Sequence, residues 1–255
     1  ETYDVDGFEL DFLRSGLFFR KGHEREGSKL MTDLVGRIHQ MLGDVGRRRK
    51  KVLRLVVRVP TSVAECQAQG LDVPTWIRRG LVDMVVPMAG GYLDMTAPVE
   101  QFVALARGTG CKVAGGLEYY IRGYLKPDQQ GITQASLQRL RAGAASFWDR
   151  GVDAIYLFNY DCHGPFPFRG DKRQALNEIH DPTKLAGTDQ HYFVTREMSR
   201  KTPVGSGYKQ LPAELKQDGT VSRFTLHVGD DVPAKPSSRD PRSARLLVRT
   251  TLSPK

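Results

Sequence analysis

DVDGFELDFLR, from Asp4 to Arg14, sets four carboxylates into a run that otherwise reads as a buried strand. Period two sorts the run: Gly7, Glu9 and Asp11 fall on one face, and Phe8, Leu10 and Phe12 on the other. If the apolar face packs on helices, the carboxylate face is turned toward an enclosed centre. That is the geometry of a parallel barrel, in which functional side chains gather at the C-terminal ends of the strands.

Outward from that strand, apolar strands alternate with amphipathic helices. Leu30, Met31, Leu34, Val35, Ile38, Met41 and Leu42 predict a helix over Ser28 to Leu42. Val52 to Val59 is a β-branched strand stopped by Pro60. Thr61 or Ser62 caps a helix from Val63, and a second short helix starts near Pro74. Strands are expected at Leu81–Pro87, Lys112–Tyr119 and Ala154–Tyr160, and helices at Pro98–Arg107 and Thr133–Arg150, the latter capped by Thr133 or Ser136. The paired glycines of KVAGGLEY imply close backbone approach or a crowded interior. Gly80, Gly110 and Gly151 precede strands, where a left-handed residue ends a helix and turns the chain.

This rhythm implies parallel pairing through crossovers, hence an α/β fold. No GxGxxG or GxxxxGK[ST] follows a strand, which removes the usual signature of a nucleotide-binding open sheet. Counting leads to a (β/α)8 TIM-barrel type of which residues 1–202 form the C-terminal five βα units. A helix is expected over Lys172–Ile179 and a helical patch after Pro182. Residues 203–255 read as a β-rich C-terminal segment, with strands at Val221–Val228 and Ala244–Leu252.

Composition narrows the function classes. The 255 residues carry a formal net charge of +9, but its densest run, RRRKK from Arg47 to Lys51, lacks interleaved aromatics and reads as a solvated loop. Nucleic acid is therefore not the expected partner. No run approaches the roughly 18 apolar residues of a membrane span, and no signal peptide is visible, so the compartment stays open. Cys66, Cys111 and Cys162 suggest neither a disulfide framework nor a zinc site, and free thiols are expected; a nucleophilic Cys162 beside His163 is the weaker reading. His163, His180 and His191 have no metal-ligand spacing. Trp76 and Trp148 belong in the core. Tyr119, Tyr120, Tyr156 and Tyr160, at strand ends, are the better platforms for a sugar ring.

The polar strand ends supply the candidate site. Two carboxylates on separate strands, with arginine and aromatic groups around them, suit glycoside hydrolysis, in which one acid protonates the leaving oxygen and the other carboxylate attacks or activates water. Glu9 or Asp11 is the expected proton donor and Glu118 the nucleophile or base. Arg14, Arg58, Tyr119, Asn159, Tyr160 and Asp161 are expected to bind the substrate, a poly- or oligosaccharide. No cofactor or metal is implied. Three alternatives stand beside this reading: an ion-paired strand end in which the carboxylates hold Arg58 and Arg14, a non-catalytic carbohydrate-binding or scaffold protein on a degenerate barrel, and binding of an anionic partner through the basic run Arg47 to Lys51.

DGFELDFLR resembles the DGxDxDxE strand of chitinase-like barrel glycosidases, with Asp6, Gly7, Glu9 and Asp11 on its first four defined positions. The catalytic glutamate of that motif falls at Leu13. The chain also resembles barrel glycosidases whose acid ends strand four and whose nucleophile ends strand seven. If the strands here are four to eight, Glu9 or Asp11 takes the first place and Glu118 the second. From Tyr3 to Asp189 the chain is similar to bacterial glycoside-hydrolase-like proteins with a DG[FVI]ELDF[ML]R strand and a GLDVxxWIxxGLVD segment, here Gly70 to Asp83. These resemblances imply a barrel and a glycosidase activity without naming the sugar.

Overall fold

The computed structural model describes residues 3–14, 16–122, 132–162, 168–195, 210–211, 213, 216, 218–231 and 243–246. Five parallel strands form one sheet in the order β1 (Gly7–Asp11), β2 (Arg54–Val59), β3 (Met84–Pro87), β4 (Lys112–Glu118) and β7 (Ala154–Phe158). Between β4 and β7 lies an antiparallel pair, β5 (Tyr120–Arg122) and β6 (Ile132–Gln134), which the sequence pattern did not reveal. The helices are α1 (Glu24–Arg49), α2 (Val63–Ala68), α3 (Val73–Arg78), α4 (Glu100–Ala106), α5 (Leu137–Asp149), α6 (Gly170–Glu178) and α7 (Pro182–Leu185).

The sheet is curled into a half-barrel. Four strand spacings of about 4.8 Å would set the edge strands about 19 Å apart in a flat sheet. Yet the Tyr156 hydroxyl on β7 donates to Glu9 Oε1 on β1 at 3.0 Å, and the Arg58 guanidinium on β2 lies 3.6 Å from the centre of the Phe158 ring on β7. Side chains of opposite strands meet only across a concave face.

Period two therefore separates two apolar layers. Leu55, Val57 and Val59, with Val85, Val113 and Leu117, face the helices and join Trp76, Phe102 and Phe147 in the main core. Full burial of such side chains stabilises the fold by about 1.5–3 kcal/mol each. On the concave side, Val56, Met84, Val86, Met88, Ala114, Tyr156 and Phe158 form a second cluster. Phe8 departs from the expected packing: it is 55% exposed, because β1 is an edge strand.

Two aspartates fasten the strand starts in the same way. Asp83 accepts from the Leu55 N–H and from Arg54, and Asp153 from the Val113 N–H and from Lys112. Each Val-Asp pair thus clamps the beginning of the neighbouring strand. Gly80 and Gly151 take positive φ before these pairs, as expected; ahead of β4 that conformation falls at Gly108 rather than Gly110.

Other boundaries differ for local reasons. The basic run is not a loop: Arg47, Arg48 and Arg49 form the last turn of α1, where positive charge complements the helix dipole, and Lys50 caps it at φ 54. Thr133 lies in β6, so Ser136 caps α5 by accepting from the Arg139 N–H. Residues 221–229 form no strand; this stretch lies against the body instead, with His227 paired to Asp149 and the Gly229 N–H donating to the Tyr192 hydroxyl. His163 and residues 247–252 of the last expected strand lie outside the described residues, as does the expected boundary at 202. Cys66, Cys111 and Cys162 are free. No helix among the described residues is long and apolar enough to cross a membrane.

The paired glycines of β4 are required by crowding on both faces. A Cβ at Gly115 would lie 2.5 Å from the Phe147 ring, and one at Gly116 2.5 Å from the Met88 Cβ. Gly115→Ala is expected to destabilise the fold by about 1–3 kcal/mol, read as a lower denaturation midpoint in guanidinium. An unchanged midpoint would contradict this packing.

Candidate active site

The C-terminal ends of β1, β2, β4 and β7 converge on the concave face. Asp11 closes β1, and both of its oxygens are engaged: the Leu13 N–H donates to Oδ1 at 2.9 Å, and Arg58 Nη2 to Oδ2 at 2.5 Å. The register explains the pairing, because Asp11 stands directly opposite Arg58 on the adjoining strand. The ion-paired strand end weighed from the sequence is realised here. Arg14 stands farther out, its side chain 77% exposed, 3.8 Å from Asp11 and 5.6 Å from the centre of the Phe158 ring.

Arg58 itself is 2% exposed. A buried guanidinium needs its charge and donors met. Asp11 meets the charge, Nη1 donates to Met88 Sδ at 3.3 Å, and the Phe158 ring covers one face. Its place is beneath the mouth rather than at its surface.

Glu118 ends β4 and has no exposed surface. The Tyr119 N–H donates to Oε1 at 3.0 Å, and the Asn159 carboxamide donates to Oε1 at 3.3 Å and to Oε2 at 3.4 Å. Burial pushes its pKa above the usual carboxylate range, while these donors and the Arg58 charge pull it back. Asn159 reaches both oxygens from a left-handed backbone, φ 57, directly after β7. Asparagine is among the few residues that enter this region readily.

Glu9 lies on the same face, two residues before Asp11. It accepts from Tyr156, whose phenol is pushed up to about 12 by burial and by the Glu9 carboxylate. The structure thus brings Glu9, Asp11, Arg58, Glu118 and Asn159 to one concavity. It places the others elsewhere. Tyr119 and Tyr160 are 6% and 4% exposed and belong to the helix-side core, their rings 5.1 Å apart. Tyr160 donates to the Lys172 carbonyl, and Lys172 Nζ returns a bond to the Tyr160 carbonyl. Asp161 is exposed beside Cys162.

Sequence reading missed Met88 and Phe158 as the walls around Arg58. Phe158 was reachable: it shares the face of Ala154 and Tyr156 at period two, opposite Glu118 in the register. No cluster of three His, Cys, Asp or Glu among the described residues is arranged to hold a metal ion.

No protein-family model matches the chain. No curated protein matches it. Among solved structures it is similar to the catalytic domain of psychrophilic chitinase B from Arthrobacter TAD20, with 17% identity and a TM-score of 0.34. The likeness covers 51% of this chain and 38% of that one, so the chain spans well under half of that domain. A likeness of this extent carries neither a family nor an activity to the chain.

The Asn159 backbone gives a direct test of the site's construction. Asn159→Gly and Asn159→Ala both remove the carboxamide, but only alanine is strained at φ 57. The alanine variant is expected to be the less stable by about 1–2 kcal/mol, reversing the order found in ordinary strands and helices. Equal unfolding free energies for the two in a urea titration would contradict this conformation.

Proposed function

We propose that the chain is a hydrolase of glycosidic bonds, with Glu118 as the proton donor and Asp11 as the opposed carboxylate. The observation that carries this reading is a carboxyl group buried at the C-terminal end of a barrel strand, with its pKa raised chiefly by loss of water. Such a group keeps its proton to higher pH than an exposed carboxyl and can deliver it to a leaving oxygen. This exchanges the roles expected from the sequence, where Glu9 or Asp11 was the acid.

The supporting geometry is electrostatic. Asp11 accepts from Arg58 and from the Leu13 N–H, which fix its position at the end of β1. A carboxyl group so placed suits the step that stabilises a positively charged sugar or activates water. Glu9, tied to Tyr156 across the sheet, braces the curvature. Arg14, exposed at the rim beside Asp11, is placed to meet substrate hydroxyls. The leaving oxygen would take the place at Glu118 that the Asn159 carboxamide now fills. The substrate class is a poly- or oligosaccharide.

A second reading has its own observation. Glu118 has no exposed surface, and a carboxyl that never opens to substrate would leave a carbohydrate-binding or scaffold protein. Glycan binding without release of product would favour it.

Glu118→Gln separates the two. If Glu118 is the acid, turnover of an identified glycan falls about 10²–10⁴-fold; unchanged turnover would end the assignment. Stability moves the other way. A carboxyl whose folded pKa exceeds its unfolded one favours the fold only while protonated, and that contribution is lost as pH rises through the folded pKa. Glutamine mimics the protonated form at every pH. Its melting temperature is therefore expected to gain on the parent chain as pH rises from about 4, the ordinary carboxylate value. A difference in melting temperature that does not change with pH would contradict the raised pKa.

A further inference from the structure

Arg58 occupies a position that substrate recognition does not explain. It is 2% exposed and projects from β2 onto the concave face, where three strands supply its neighbours. Asp11 on β1 accepts from Nη2 at 2.5 Å, Met88 beyond β3 from Nη1 at 3.3 Å, and Phe158 on β7 lies 3.6 Å from the guanidinium carbon. Its buried Nε–H has no hydrogen-bond partner among the described residues. Guanidinium does not lose its proton in proteins, so this charge is permanent.

The titratable and charged groups around it can be named element by element. From β1 come Asp11 and Glu9, with Arg14 just beyond; from β4, Glu118; from β7, Tyr156, which feels the Arg58 charge. β3 contributes Val86, and Met88 lies just beyond it, neither charged. Asp11 is in direct contact with the guanidinium. Glu118 is buried, its pKa lowered by the Arg58 charge against the opposing effect of burial, and it is held by the neutral donors of Asn159 and Tyr119.

We propose that Arg58 is a positioning residue that sets how readily the buried Glu118 carboxyl holds its proton, with Asp11, in direct contact, offsetting part of the Arg58 charge. This rests on the reading of Glu118 as proton donor, but its test needs no turnover. An opposite charge favours ionisation and a neutral replacement does not. Removing Arg58 should therefore make Glu118 harder to ionise. Removing the charge of Asp11 should do the reverse, because the unneutralised guanidinium then acts on Glu118 alone.

The experiment is a pH titration of the whole chain labelled with ¹³C at glutamate carboxyls and followed by NMR. The Glu118 resonance is assigned by its loss in Glu118→Gln. In Arg58→Gln the Glu118 midpoint is expected to rise by about one pH unit, and in Asp11→Asn to fall by about as much. Arg58→Lys, which restores the charge, should return the midpoint toward that of the parent. Shifts in one direction for both neutralising variants, or a midpoint unmoved in both, would overturn the proposal. If Arg58→Gln fails to fold, Asp11→Asn decides alone, since asparagine can still accept from the Leu13 N–H. A fall supports the proposal, and a rise or no change overturns it. Loss of all hydrolytic activity from the parent chain would sink the glycosidase reading and leave this titration standing.

Discussion

A guanidinium buried on the concave side of a five-stranded sheet is the constraint on which this structure turns. Arg58 cannot shed its charge, so the sheet must curl until groups from β1, β3 and β7 reach it. In a flat sheet Phe158, three strands away, would lie out of range. The same curvature brings Tyr156 to Glu9 and places Glu118 within the field of Arg58. Fold and site therefore share one cause: polar and aromatic side chains on the inner face hold the arc that the apolar outer layer packs against the helices.

That arrangement separates two carboxyl groups that the sequence presents as equivalents. Asp11 stands beside a permanent cation and a backbone donor and keeps some contact with water. Glu118 is fully enclosed, and its donors are neutral. In the proposed mechanism it is environment rather than residue type that would assign acid and base to the two groups. The left-handed Asn159 joins the two requirements, ending β7 and presenting its carboxamide to both Glu118 oxygens from a conformation that most residues resist.

Much of this was legible in the chain. Period two in DGFELDF put Glu9 and Asp11 on one face, and the repeated strand and helix patterns gave the five parallel strands and their order of appearance. The glycines of KVAGGLEY announced the crowding now seen against Phe147 and Met88. Other features stayed hidden because they depend on non-local contacts. The burial of Arg58 depends on groups from separate strands meeting it across the sheet, which no local pattern encodes. The β5–β6 pair is three residues a strand, too short to leave a periodic signal. Tyr119 and Tyr160 end up on the helix side, Tyr119 by simple alternation after Glu118 and Tyr160 because the left-handed Asn159 breaks the alternation that would have kept it with Tyr156 and Phe158. The basic run at Arg47 read as a loop because charge alone does not distinguish a solvated connection from the last turn of a helix.

The central claim is that Glu118 supplies a proton to the leaving oxygen. The most direct measurement compares Glu118→Gln with the parent chain on two versions of one glycoside, one with an alkyl alcohol as leaving group and one with dinitrophenol, which departs without a proton. A large loss on the alkyl glycoside and little loss at the bond-breaking step on the dinitrophenyl glycoside are expected. Equal losses on both would contradict the claim.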